Sequence, residues 1–383
     1  MATQFGQPAP ASAYNPFAPG PFSVGVRTIE ARDSARGRQF PCEIWYPAAR
    51  QETGEAELRD AAALPGTHPL VVFSHASAHH RRGATFLCTH LSSHGYVVAA
   101  MNHSEVVAPE LAPPPDETAE QKAARMQGVI GSRVPDVRFL LDHLLRVGLP
   151  GLGIFVDPAR IGIVGHSFGG WTALAMPEVE PAIRAVVALA PGGASQPKPG
   201  ILPLQLDFRW GCDVPILYLV AENDVTLPLA GMYELFQRTL ATKQMFILRR
   251  ADHCHFMDNP EQQHEGMRTT SWPEELSWIS REMRPIAELC SGEQAHLFTR
   301  ALTLCHFDAV IGRNGEARRL LDGNLEAELA ARGSRGWLRV TYRSTGSDNA
   351  SRSSHGRAAL CFRRVRTGNP AGPGSGRPGP RPA

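Results

Sequence analysis

The chain lacks long apolar runs and paired cysteines. No segment of its 383 residues approaches the ~20 consecutive apolar residues of a membrane-spanning helix, so stable membrane insertion is not predicted. Residues 1–5 contain no basic region and lead into no apolar stretch, so we predict no signal peptide. The seven cysteines are scattered, odd in number and without a Cys-x-x-Cys pair. This usage is typical of a reducing compartment, and we expect a cytoplasmic protein.

Signals for metal and nucleic acid are also scarce. Two histidine-rich loops, 75–80 and 253–255, provide neither a His-x-x-x-His pair on a predicted helix nor the cysteine pairs of a zinc site. The net charge is +2, but residues 341–383 contribute +7 (eight arginines against Asp348), which leaves −5 for the rest. No recognisable RNA- or DNA-binding module is present. We therefore expect no metal, no organic cofactor and no nucleic-acid partner.

Short apolar runs alternate with helical segments through the middle of the sequence. This alternation predicts an α/β fold with a mostly parallel, doubly wound sheet. The predicted strands are 22–26, 42–46, 70–74, 96–101, 161–164, 185–189, 216–220 and 245–248, the first two as an antiparallel pair at one edge. The predicted helices between them are 86–93, 134–147, 171–176 and 229–240.

Composition divides the chain into four parts. Residues 1–20 are rich in Pro, Ala and Gly and are predicted to be a flexible lead-in, followed by the α/β domain over 21–260. A helical C-terminal extension is expected over 261–340, packed on or beside that domain. Residues 341–383, rich in Arg, Gly, Pro and Ser, are predicted to be a disordered tail. Within the domain, 104–131 contains three consecutive prolines and is either a lid or a plain surface excursion.

The most informative motif is Gly165-His166-Ser167-Phe168-Gly169. It follows a buried strand and precedes a helical segment, which is the setting of a G-x-S-x-G nucleophile elbow. The glycines flank a tight, strained turn in which a Cβ would clash. The turn would raise the hydroxyl of Ser167 above the sheet, at the N-terminus of the next helix. This context makes Ser167 the candidate nucleophile.

A serine hydroxyl needs a base, and the base needs an orienting acid. On such a fold the acid and then the histidine follow later strands. Asp224 follows the strand 216–220, with Glu222 and Asp213 as rival acids. His253 follows the strand 245–248, with His255 as the rival base. We favour Asp224 because it lies several residues beyond its strand, where the loop can bend towards the histidine.

An oxyanion hole is expected from backbone N–H groups. One would come from Phe168, after the nucleophile, and the other from the loop after the strand 70–74, at Ser77 or Ala76. Only backbone atoms take part, so side-chain identity gives little information here.

Four side chains near these motifs are candidates for substrate contact: His75, His166, Trp171 and Arg81. His166 has the alternative role of bracing the elbow. Arg81, with its neighbour Arg82, would recognise a carboxylate or phosphate, or would simply be solvated.

The ordered set of motifs resembles the α/β-hydrolase superfamily. Within that superfamily it resembles bacterial proteins grouped with platelet-activating-factor acetylhydrolases and predicted dienelactone hydrolases. The residues that carry the resemblance are 20–25, 44–47, 72–75, 91–99, 165–170 and 253–258. The resemblance implies an eight-stranded type of sheet with helices on both faces, and an ester-cleaving serine enzyme. The His-x-x-Phe-x-Asp form of 253–258 supports His253 as the base.

Two positions depart from the family pattern. Ala76 stands where the family usually has glycine, which is tolerable if its φ is negative. In the acetylhydrolase itself the acid follows the strand after the elbow helix, but here that position is Ala190-Pro191. The acid therefore shifts to Asp224, which favours a general ester hydrolase over an acetylhydrolase.

The predicted function is hydrolysis of carboxylic esters of small or medium substrates through an acyl-enzyme. A lactonase or dienelactone hydrolase on the same scaffold is the first alternative. The second is a hydrolase-fold protein that binds ligands without catalysis.

Overall fold

The computed structural model describes residues 14–50, 54–323 and 325, and the backbone of 338–344. Ten strands in this part of the chain form one sheet. They are β1 Ser23–Asp33, β2 Arg38–Ala48, β3 Leu58–Arg59, β4 Gly66–Ser74, β5 Val97–Met101, β6 Ile154–His166, β7 Ile183–Leu189, β8 Ile216–Ala221, β9 Lys243–Leu248 and β10 Leu338–Ser344.

The sheet order is β10-β9-β8-β7-β6-β4-β5-β2-β1-β3. The six strands β4 to β9 are parallel to one another, and β1 and β2 form the predicted antiparallel pair. β2 and β10 lie antiparallel to β5 and β9, respectively. The strands β3 and β10 extend the two edges beyond the eight strands of the predicted sheet. The predicted mostly parallel sheet is thus confirmed.

Helices cover both faces of the sheet. The described α-helices are α1 Thr85–Ser93, α2 Ser104–Val107, α3 Ala119–Arg146, α4 Phe168–Val179, α5 Leu229–Arg238, α6 Pro260–Thr269, α7 Trp278–Glu282, α8 Gly292–Val310 and α9 Gly315–Asp322. Short 3₁₀ helices occupy Pro109–Leu111, His253–Phe256, Glu274–Leu276 and Ile286–Glu288. None of the helices in the described ranges is both long and apolar enough to cross a membrane.

Alternating strand residues build two apolar layers. In β4, Val71 and Phe73 join the layer covered by α1 and α8, whereas Leu70 and Val72 join the layer covered by α3, α4 and α5. Because the central strands are buried on both faces, their sequences are nearly continuous apolar runs. Helix α8, which lies in the predicted C-terminal extension, is therefore part of the core of the α/β domain.

Helix α3 is twice as long as the sequence suggested. We predicted 134–147, but the helix begins at Ala119 and contains Pro135. Its start is fixed by a capping box in which Thr118 and Gln121 bond each other's backbone N–H. Residues 104–131 thus form α2, a 3₁₀ turn and the first half of α3.

Both predicted termini need correction. Tyr14 donates a hydrogen bond to Asp308 Oδ2 (2.8 Å), and the amide of Gly20 donates to Ser93 Oγ (2.9 Å), so the lead-in is anchored over 14–20. Residues 341–344, assigned to the tail, belong to β10, which pairs with β9. Residues 1–13 and 345–383 lie outside the described residues.

Candidate active site

Ser167 lies in the sharp turn between β6 and α4. Its φ is +57°, in the left-handed region that L-residues rarely adopt. A Cβ added to Gly165 would lie 2.0 Å from the carbonyl oxygen of Gly169, and one added to Gly169 would lie 1.9 Å from that of Ser74. The turn therefore requires both glycines, which is the steric reason for the G-x-S-x-G pattern.

Asp224 and His253 meet across the ends of β8 and β9. The Nδ1 of His253 lies 2.7 Å from Asp224 Oδ2, and the two side chains are 13% and 1% exposed. Asp224 Oδ1 accepts hydrogen bonds from the hydroxyl and amide of Thr226 and from the amide of Leu227. These three donors fix the carboxylate, so the imidazole is held in one orientation.

The pKa of His253 reflects two opposing effects. Burial disfavours the charged imidazole, but the charge and hydrogen bond of Asp224 outweigh it and hold the pKa above its ordinary value of 6.5. A proton on Nδ1, donated to Asp224, leaves Nε2 with a lone pair. His253 is thereby suited to accept a proton from a hydroxyl group.

The nucleophile loop adjoins this pair through His166. The ring of His166, the residue before Ser167, lies 4.6 Å from the ring of His253, measured between centroids. Within the described part of the chain, Ser167 Oγ makes no hydrogen bond to His253. In free enzymes such contacts are often long and tighten only in the substrate complex.

The rival acids and base are engaged elsewhere. Glu222 accepts a hydrogen bond from the amide of Arg250 (3.0 Å), and Asp213 accepts two from Thr242. His255 is completely buried, and both of its ring nitrogens are engaged in a separate polar cluster. Geometry thus selects Asp224 and His253 as the interacting pair.

That separate cluster centres on Asp252 and was missed by the sequence analysis. The carboxylate of Asp252 contacts Nδ1 of His255 (2.7 Å) and Nδ1 of His264 (2.5 Å). Nε2 of His255 lies 3.0 Å from the carbonyl oxygen of Cys290, and Nε2 of His264 lies 3.0 Å from that of Arg284. The cluster fastens the loop that carries His253 to α6 and to the segment before α8.

The predicted oxyanion loop follows β4. Phe168 is the first residue of α4, and the first amides of a helix have no acceptor within it. Ala76 is not among the residues with a left-handed φ, so its Cβ causes no strain there; the left-handed residue of this loop is Ala78, at +58°. The substitution of alanine for the family's usual glycine is therefore compatible with the loop.

Two of the proposed substrate contacts need correction. His75 is completely buried, and its Nε2 accepts a hydrogen bond from the amide of His103 (3.2 Å), so its side chain cannot reach a substrate. His166 is 2% exposed and packs against His253 and Phe256, which matches the bracing role.

Arg81 and Arg82 are held by internal carboxylates. Glu43 is completely buried, and its carboxylate forms ion pairs with Arg59, Arg81 (3.3 Å) and Arg82 (3.4 Å). Arg82 also pairs with Glu57. The arginines thus offset the charge of a buried carboxylate, and their availability to an anionic substrate is reduced.

Trp171 belongs to an apolar cluster that covers the elbow. Its members are Ala108, Leu111, Val129, Phe168, Trp171 and Leu204. Three of them come from the segment 104–131, so this segment packs on the residues that follow the nucleophile. A cavity of about 410 Å³ lies beside Trp171, along α4 and the loop 205–210, and is not lined by Ser167, Asp224 or His253.

The chain is similar in sequence to known proteins. The family model for platelet-activating factor acetylhydrolase, isoform II, matches residues 52–123, which include the oxyanion loop. A cutinase, est1 of Thermobifida alba, is 22% identical and covers 76% of this chain and 86% of its own length. The platelet-activating factor acetylhydrolase of Cavia porcellus is 21% identical and covers 62% of this chain and 67% of its own length.

A solved structure shows the same fold. The ferulic acid esterase of Streptomyces cinnamoneus superimposes with a TM-score of 0.61 at 22% identity, covering 85% of this chain and 98% of that protein. The predicted resemblance to the α/β-hydrolase fold and to platelet-activating-factor acetylhydrolases is confirmed, whereas the resemblance to dienelactone hydrolases stays a prediction. The chain has the α/β-hydrolase fold and is similar, at low identity, to cutinases, platelet-activating factor acetylhydrolases and a ferulic acid esterase.

Proposed function

We propose that this protein is a serine hydrolase that cleaves carboxylic esters of small or medium substrates. The observation that carries the proposal is the Asp224–His253 hydrogen bond beside a strained serine elbow. The named activities of the similar cutinases and esterases support an ester as the substrate. The cysteine usage of the sequence supports the cytoplasm as its compartment.

In the proposed reaction, Ser167 Oγ attacks the ester carbonyl while Nε2 of His253 takes its proton. The tetrahedral oxyanion is stabilised by the backbone N–H of Phe168 and by that of Ser77 or Ala76. The C–O bond to the alcohol breaks, and His253 returns the proton to the leaving oxygen. Water then cleaves the acyl-enzyme by the same sequence, and Asp224 orients the imidazole throughout.

The lactonase alternative is less well supported. It relied on Arg81 and Arg82 as anchors for an anionic ring substrate, and both are paired with Glu43 and Glu57. We therefore favour esters without a negative charge near the scissile bond.

A fluorophosphonate probe tests the nucleophile. We expect wild type to be labelled at one site and to hydrolyse a nitrophenyl ester, and Ser167→Ala to do neither. Ser195→Ala, which alters an exposed serine, is the control and should behave as wild type. Labelling that persists in Ser167→Ala would overturn the assignment, and a wild type that reacts with neither reagent would overturn the proposed function.

A further inference from the structure

We propose that Arg133 is a positioning residue that holds both halves of the oxyanion hole in place. The inference rests on the proposed function and adds a residue that the sequence analysis did not consider. Arg133 lies on α3, and its side chain is completely buried. A buried guanidinium is costly unless each of its donors has a partner, so its contacts are informative.

Arg133 holds the loop after β4, which supplies one N–H group of the oxyanion hole, through two carbonyl groups. Arg133 Nη1 donates to the carbonyl oxygen of His75 (2.7 Å), and Nη2 donates to that of Ala76 (3.4 Å). In a planar trans peptide the C=O of one residue and the N–H of the next are fixed in opposite directions. Arg133 therefore sets the directions of the N–H groups of Ala76 and Ser77, which are the two candidates for the hole.

Arg133 contacts the elbow, which supplies the other N–H group of the oxyanion hole, through the aromatic ring of Phe168. The Cζ of Arg133 lies 4.1 Å from the centroid of the Phe168 ring, within the range of a cation–π contact. Phe168 also supplies the other candidate N–H. One rigid guanidinium thus contacts both chain segments, from β4 and from the elbow, that must lie at a fixed separation around the oxyanion.

The guanidinium is itself held by a carboxylate. Glu105 of α2 accepts from Nε of Arg133 (3.1 Å) and also from Nη2, so the pair is bidentate. This arrangement uses the fork geometry that lysine lacks. Arg133 is therefore oriented before substrate binds, as preorganised stabilisation of a transition state requires.

A second buried network supports the same loop. Ser74 Oγ lies 2.8 Å from Nε2 of His103, and Nδ1 of His103 lies 3.4 Å from Asp136 Oδ2. These residues are serine, histidine and aspartate, but all three are completely buried, so a substrate cannot reach them. They immobilise the end of β4, from which the oxyanion loop departs.

Kinetics of Arg133→Met and Arg133→Lys test the proposal. Misplacement of the N–H groups should lower kcat roughly 10- to 100-fold with little change in KM, since small shifts in a site reach about this size. Arg133→Lys should lie closer to Arg133→Met than to wild type, because lysine keeps the charge and loses the fork. Arg138→Met, on the exposed side of the same helix, is the matched control and should keep wild-type kcat.

A transition-state mimic separates positioning from folding. A trifluoromethyl ketone forms a tetrahedral oxyanion on a reactive serine, so its Ki should rise in parallel with the loss of kcat, whereas KM should not. Rates are divided by the concentration of active sites from fluorophosphonate titration, which removes the effect of unfolded protein. If Arg133→Met does not fold, Glu105→Gln undergoes the same measurements, with a smaller effect in the same direction.

The outcomes are distinct. If the Arg133 variants keep the wild-type kcat and Ki per active site, this inference is overturned, while the proposed esterase function is unaffected. A wild-type protein that neither labels nor hydrolyses esters would instead overturn the proposed function.

Discussion

One carboxylate oxygen of Asp224 forms a hydrogen bond with His253, and the other accepts hydrogen bonds from the loop in which Asp224 lies. Oδ2 lies 2.7 Å from Nδ1 of His253, while Oδ1 accepts three hydrogen bonds from Thr226 and Leu227. The acid is therefore fixed by the turn in which it lies, independently of the histidine. This separation of roles allows the acid to be changed without displacing the loop.

Asp224→Asn should lower kcat on a nitrophenyl ester by roughly 10³- to 10⁴-fold at neutral pH. The asparagine oxygen can still accept from Thr226, but its amide group would donate to Nδ1 of His253. The imidazole would then carry its proton on Nε2 and could not accept one from Ser167. Glu222→Gln is the control, and a loss of similar size in that variant would contradict the assignment of the acid.

The pH dependence of kcat/KM provides a second prediction. His253 must be neutral to act as a base, and Asp224 holds its pKa above 6.5. Activity should therefore rise with pH along a limb whose midpoint lies above 6.5, measured on a neutral ester. In Asp224→Asn the residual activity should have its limb at lower pH, because the attraction that raises the pKa is gone. An unchanged limb in that variant would show that another group titrates.

Sequence patterns predicted the sheet because its central strands are buried on both faces. Residues 161–164 and 185–189 are short, nearly continuous apolar runs, and a parallel sheet covered by helices buries both faces of such segments. The elbow and its later partners were predictable for a related reason: each follows a strand, and the ends of parallel strands meet at one edge.

The first half of α3 was missed because it is polar on most of its surface. Residues 119–128 contain few apolar side chains, so the periodicity that reveals a helix is absent. The capping box Thr118-x-x-Gln121 was the available signal.

Arg133 was missed because charged residues are expected on the solvated face of a helix. A signal existed, since Arg133 lies four residues from both Val129 and Val137, which are buried on the apolar face. The cluster of Asp252 and His264 left no such pattern, because its members meet only in the folded structure.

The Asp252 cluster gives a third prediction, which concerns stability. Burial alone would lower the pKa of His255, but its interactions with the carboxylate of Asp252 and with the side chain of Cys290 raise it to about 10 from 6.5. A group whose pKa is higher in the folded than in the unfolded state stabilises the folded state, and this stabilisation is complete at pH values below the unfolded-state pKa. This contribution is lost as pH rises through the folded pKa. The free energy of unfolding contributed by His255 should therefore decline between pH 6.5 and about 10.

Urea unfolding at pH 6, 8 and 10 measures this decline, and His255→Gln should make the dependence on pH shallower. The same variant should retain far more activity per active site than His253→Ala, for which a loss of at least roughly 10³-fold is expected. The two histidines would thus separate, one affecting the rate and the other the stability of the loop. Equal losses of rate in both variants, with unfolding curves that do not differ, would refute this division of roles.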